Sequence, residues 1–187
     1  IEWENQQDTK HELLNGQIIA MTGGTFAHAR LIARLVTRLS NHLDKTPCAV
    51  LSSDFKVQAG HDVFYPDVLV TCARQENEDL LCKEPKLIIE VLSNSTSRKD
   101  RFKKRLAYQQ IESLEEYVLV SQEIQHVEIY RRAEDWQAFI HISGKVELRS
   151  VDFSLDTGYW IVLQGGKGWC GERLSRPETF GQGFQDH

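Results

Sequence analysis

The sequence predicts an α/β or α+β domain, with helices mixed among the strands of one sheet. Strand-length apolar runs are interspersed with two segments of helical spacing. One run, Leu87-Ile88-Ile89-Glu90-Val91-Leu92, is apolar on both faces, as a central strand covered on both sides must be. The order of elements is hairpin, helix, three strands, helix, two strands, which mixes helices among strands around one sheet.

The first element is a hairpin within residues 11–21, with Asn15-Gly16 as the turn between two apolar runs. Gly23-Gly24 follows, and Thr25 is placed to cap a helix. From His28 to Leu43, Leu31, Ile32, Leu35, Val36, Leu39 and Leu43 recur at helical spacing and form one stripe; Pro47 ends the element. Arg30, Arg34 and Arg38 form a basic line on another face, as an ordinary amphipathic helix would show or as a phosphate backbone would attract. Residues 49–58 read as a strand or bent strand, 60–62 as a turn, 63–72 as a second strand and 74–86 as a surface loop. After the strand 87–92 come hydroxyl-rich residues 93–97, a helix over about 98–111, and strands at 116–121 and 126–131. The domain is expected to span 1–162, with a glycine-rich peripheral or disordered tail at 163–187.

A chain of 187 residues, 41% hydrophobic and 26% charged, suits one globular domain with a real core. Its net charge of −5 restricts contact with a phosphate backbone to local patches. No membrane-spanning run or secretory signal is read, and the first residue is Ile1 rather than Met, which leaves room for preceding residues. Cys48, Cys72, Cys82 and Cys170 have no CxxC spacing, so reduced thiols in a cytoplasmic protein are expected rather than a zinc cage. The sequence has no phosphate-binding glycine loop and no GxSxG elbow.

Glu90 is the strongest chemical signal. An ionised carboxylate in a central strand is costly unless it is paired or binds a metal, so a structural ion pair or a protonated acid competes with a functional reading. Asp67 follows Pro66 and shares a strand face with Leu69 and Thr71. Two acids on neighbouring strands suit Mg²⁺ or Mn²⁺, held by one or two carboxylates plus water and phosphate oxygens. Residues 98–105 hold six basic side chains in eight positions and begin at the C-terminal end of the Glu90 strand, where open α/β sheets bind ligands. Lys104 lies on the helix face of Ala107, Tyr108 and Ile111, and Lys103 on that of Leu106 and Ala107. Either lysine is placed to reach a phosphate. Arg98, Arg101 and Lys103 are the candidate phosphate contacts, against the alternative of a solvated charged face. Glu12 on the first hairpin and Lys56 are weaker candidates.

These stretches together resemble the Uma-two-type endonuclease family, a branch of the PD-(D/E)XK restriction-endonuclease-like superfamily. The matching segments are HELLNGQIIAMTGG at 11–24, YPDVLVTC at 65–72, LIIEVLSNSTSRKDRFKKRLAY at 87–108, LEEYVLV at 114–120 and VEIYRR at 127–132. The resemblance implies a restriction-endonuclease-like fold, with a mixed sheet flanked by helices, and a Mg²⁺-dependent site that hydrolyses phosphodiester bonds. It makes Asp67 the motif acid after proline, Glu90 the second acid and Glu12 a further acid. The superfamily's lysine two residues after the second acid is replaced here by Leu92, and the branch's DxxxK in the next helix is matched by Asp100 and Lys104. Asn94 stands where the branch usually has proline, and His11 where it usually has an aromatic residue. The expectation is a metal-dependent endonuclease acting on DNA as a homodimer. The alternative is a catalytically inactive module of the same fold that binds nucleic acid or protein.

Overall fold

In the computed structural model, residues 1–92 and 98–159 are described, with the backbone alone at 98–101 and 159. The elements in chain order are β1 (His11–Leu14), β2 (Gln17–Ala20), α1 (Phe26–Leu43), β3 (Ala49–Leu51), β4 (Lys56–Ala59), β5 (Asp62–Phe64), β6 (Val68–Thr71), β7 (Leu81–Cys82) and β8 (Leu87–Leu92). They continue with α2 (Arg98–Tyr108), β9 (Glu116–Ser121), β10 (Val127–Arg131), β11 (Ala138–His141), β12 (Lys145–Leu148) and β13 (Phe153–Asp156). The mixed α/β architecture is the one expected, but the strands divide between two main sheets where one was expected. The expected tail at 163–187 lies outside the described residues, as do residues 93–97.

The strands form a six-stranded sheet in the order β11-β10-β9-β8-β6-β3, a five-stranded sheet in the order β2-β1-β5-β4-β7, and the hairpin β12-β13. In the larger sheet β8 pairs parallel with β9 and antiparallel with β6. One face of β8 places Leu87, Ile89 and Val91 in a core with α1 residues Leu31, Ile32, Leu35, Leu39 and Leu43. The other face places Ile88 in a core with Leu69, Tyr108, Tyr117 and Leu119. Helix α1 thus buries five aliphatic side chains, each contributing roughly 1.5–3 kcal/mol of transfer free energy. Asn15 and Gly16 both have positive φ (51° and 75°), the backbone a two-residue hairpin turn needs.

Two stretches that read as single strands are divided between the sheets. Within 49–58, β3 belongs to the larger sheet and β4 to the smaller; the chain turns between them at Ser53 (φ 54°), whose N–H donates to the Pro66 carbonyl at 3.0 Å. Within 63–72, β5, which begins at Asp62, belongs to the smaller sheet and β6 to the larger, with Tyr65-Pro66-Asp67 between them. Proline has no N–H for a ladder, so the strand breaks there. Strands β7, β11, β12 and β13 are additional to the sequence reading, and α2 ends at Tyr108, earlier than expected.

The expectation of reduced thiols is corrected at one pair. Cys48 and Cys72 form a disulfide across 24 residues of sequence. They extend the antiparallel β3–β6 register one step beyond Ala49 opposite Thr71. Cys82 is a buried free thiol, and burial pushes its pKa up. Among the described residues, no helix is long and apolar enough to cross a membrane. Closing a loop of this length restricts the unfolded chain by about 3 kcal/mol. Reduction, or the double substitution Cys48→Ser with Cys72→Ser, is expected to lower unfolding free energy by that order in denaturant titration. Equal midpoints with and without reductant would refute the contribution.

Candidate active site

The site lies where the two sheets meet, at the C-terminal end of β8. Asp67 stands at the entrance to β6, directly after the break at Pro66. Its Oδ2 accepts the Val91 N–H at 2.7 Å, which draws the carboxylate against β8. Glu90 points to the α2 side of the sheet and is buried. Its Oε1 accepts the Tyr108 hydroxyl at 3.0 Å and lies 3.5 Å from Lys104 Nζ. Lys104 also donates to Glu12 Oε1 at 2.7 Å, and its ammonium sits 5.5 Å from the centre of the Phe64 ring. Glu12 comes from β1 of the smaller sheet, and the same Oε1 accepts the Tyr65 N–H at 3.3 Å.

The fold therefore brings Asp67, Glu90, Glu12 and Lys104 together. Of the two lysines left open by the sequence, Lys104 is the one whose Nζ reaches Glu12 and Glu90; Lys103 is half-buried on the neighbouring helix position. The side chains of Arg98, Asp100 and Arg101 lie outside the described residues. Lys56 does not join the cluster: it is buried, donates to Asn5 Oδ1 at 2.8 Å and sits over the Tyr65 ring. Arg30, Arg34 and Arg38 remain on α1.

Two members of this neighbourhood escape the sequence reading. His28, in the first turn of α1, approaches from the opposite face of the sheet. Its Nε2 lies 3.2 Å from Asp67 Oδ2 and 3.1 Å from the Val91 carbonyl oxygen. Both neighbours are acceptors, so Nε2 carries the hydrogen. The hydrogen bond that His28 donates to Asp67 raises the imidazole pKa, opposed by burial and aided by the carboxylate's charge. Tyr108 is the second. It lies four residues after Lys104, on the same helix face, and that spacing was the available signal.

The electrostatics are unbalanced toward negative charge. Burial pushes the Glu90 pKa up, to about 7; Lys104 opposes the shift, while Asp67 and Glu12 add to it and the Tyr108 hydrogen bond opposes it. Burial works against the Lys104 ammonium, but Glu90 and Glu12 outweigh it and raise its pKa. Among the described residues, three carboxylates thus share one ammonium and one imidazole. Such hard oxygen donors with excess negative charge suit a divalent cation. No group of three His, Cys, Asp or Glu side chains among the described residues is arranged to hold a metal alone. A cation here would rest on Asp67 and Glu90, with water and substrate oxygens completing its shell, which is the usual mode of Mg²⁺.

A proton on Glu90 is retained in the fold up to about pH 7, whereas the unfolded chain releases it near 4.5. Stability from this group is full below the lower value and is lost as pH rises through the upper one. Without divalent cation, the wild type is expected to lose on the order of 2 kcal/mol relative to Glu90→Gln between about pH 5 and pH 8. Denaturant unfolding in EDTA at both pH values measures this, and a pH-independent difference would contradict the raised pKa.

Comparison with known proteins bears on the fold and the family. A crystal structure described as a "putative nuclease belonging to DUF820" from Anabaena variabilis superposes with a TM-score of 0.71 at 17% identity, covering 82% of this chain and 90% of that one. The shared fold is restriction-endonuclease-like. Two uncharacterized Synechocystis proteins are similar in sequence. The protein slr1290 is 36% identical over 167 residues, covering 85% of this chain and 88% of the relative. The protein sll1609 is 32% identical over 139 residues, covering 72% of this chain and 78% of the relative. Residues 1–156 match the family described as "Putative restriction endonuclease", and by that span the chain belongs to the Uma2 family.

Proposed function

We propose that this protein is a metal-dependent endonuclease that hydrolyses phosphodiester bonds in DNA. The observation that carries this reading is the convergence of Asp67, Glu90 and Glu12 around Lys104, from two sheets and a helix. Membership of a restriction-endonuclease family supports it.

Each side chain has a distinct task in this reading. Asp67 and Glu90 supply the oxygens for Mg²⁺ or Mn²⁺. When bound, the cation polarises the phosphate and lowers the pKa of the attacking water. Lys104 keeps its ammonium charged, since burial is outweighed by its two acidic neighbours. That charge offsets the negative charge developing on the phosphate oxygens. Glu12 holds the lysine Nζ and Tyr108 holds Glu90, so both act by positioning. Arg98, Arg101 and Lys103 on the first turns of α2 are the phosphate contacts in this scheme. Cutting both strands of a duplex needs two such centres, which a homodimer supplies.

With Mg²⁺ or Mn²⁺, the protein is expected to nick supercoiled plasmid, and EDTA is expected to stop it. Glu90→Ala is expected to abolish cleavage with its circular dichroism unchanged. Lys104→Met is expected to slow cleavage by roughly 10²-fold or more, the scale of losing one transition-state charge contact. Cleavage that survives Glu90→Ala would sink the assignment. Binding of DNA without cleavage under any of these conditions would favour the inactive module instead.

A further inference from the structure

The geometry points to His28 as a positioning residue of the cation site: its Nε2–H, with the Val91 N–H, pins one oxygen of Asp67 so that the other is presented to the cation. This rests on the metal-dependent reading above. Asp67 Oδ2 receives Val91 N–H at 2.7 Å and has His28 Nε2 at 3.2 Å. Two donors on one oxygen fix the rotation of the carboxylate and direct Oδ1 elsewhere. The same imidazole reaches the Val91 carbonyl at 3.1 Å, so it ties Asp67 to the backbone immediately after Glu90. Carboxylates that hold metals are commonly oriented by such outer partners.

The surroundings hold the imidazole in place. Thr25 caps α1 by accepting the His28 N–H at 3.2 Å, and its hydroxyl donates to Gln122 Oε1 at 3.1 Å. Gln122 is buried just after β9, with its N–H directed at the Leu92 carbonyl at 3.4 Å. The first turn of α1 is therefore fastened to the ends of β8 and β9. Gly24 leaves room for the ring: a Cβ there would lie 2.7 Å from His28 Nδ1 and 3.2 Å from its Cγ. A side chain at position 24 would push the imidazole off its two acceptors. The His28 and Asp67 side chains are 18% and 17% exposed, and neither belongs to the two apolar core clusters.

The test is Mn²⁺ binding to the full chain, followed by the paramagnetic resonance of free Mn²⁺. His28→Ala is expected to weaken binding by roughly 10–100-fold. His28→Gln, which keeps an N–H donor, is expected to recover part of the loss. Gly24→Ala is expected to weaken binding with His28 still present. Thermal unfolding in EDTA should move little in all three. Parent-like affinity in His28→Ala or Gly24→Ala would overturn the role of His28 and leave the nuclease reading standing, as would a His28→Gln no better than His28→Ala. Absence of Mn²⁺ binding by the parent protein would overturn both.

Discussion

The carboxylate of Glu90 on a strand packed from both sides is the constraint around which the site is arranged. Its neighbours on β8 belong to two apolar cores, so water solvates it poorly. The protein answers from α2, where Lys104 and Tyr108 one turn later both turn toward the acid. That answer is incomplete, because Asp67 and Glu12 bring further negative charge to the same place. A fold selected for stability alone would replace such a cluster with apolar side chains at little cost.

The second requirement is that the chain change sheets twice within a short distance. Ser53 and Pro66 lie at the two changes, and the Ser53 N–H bonds to the Pro66 carbonyl, so the two bends brace each other. The break at Pro66 releases Asp67 from the ladder, leaving its carboxylate to meet the Val91 amide on the adjacent strand. The smaller sheet then carries Glu12 to the opposite side of Lys104. Neither sheet by itself contains the cluster.

Much of this was legible in the sequence because it is written locally. The Asn15-Gly16 turn, the stripe on α1 and the doubly apolar β8 each follow from a period or a turn residue. Asp67, Glu90, Lys104 and Glu12 stood out as charges in improbable surroundings or through family resemblance. The pairing of Lys104 with Glu12 was not legible, since 92 residues separate them and only the fold brings them together. His28 was hidden for a related reason: it sits on the helix covering the other face and reaches around the end of the sheet. Strands β12 and β13 are short, and the alternation in Lys145–Leu148, exposed then buried, is visible only over four residues. The Cys48–Cys72 link depends on β3–β6 register, which no spacing rule encodes.

The hairpin that carries Glu12 differs from the strands that carry the other acids. All of β2 is exposed, and it is the edge of its sheet, whereas β8 lies between β6 and β9 and is buried along nearly its whole length. Elements with so little burial open first in native-state fluctuations. An opening that carried β1 with it, against its pairing with β5 and the burial of Leu14, would separate Lys104 from one carboxylate while Glu90 and the body of the larger sheet stayed closed. The ammonium would then pass from two anionic neighbours to one without any global unfolding. The breathing of a surface hairpin thus becomes a control on how firmly the lysine is tethered beside Glu90.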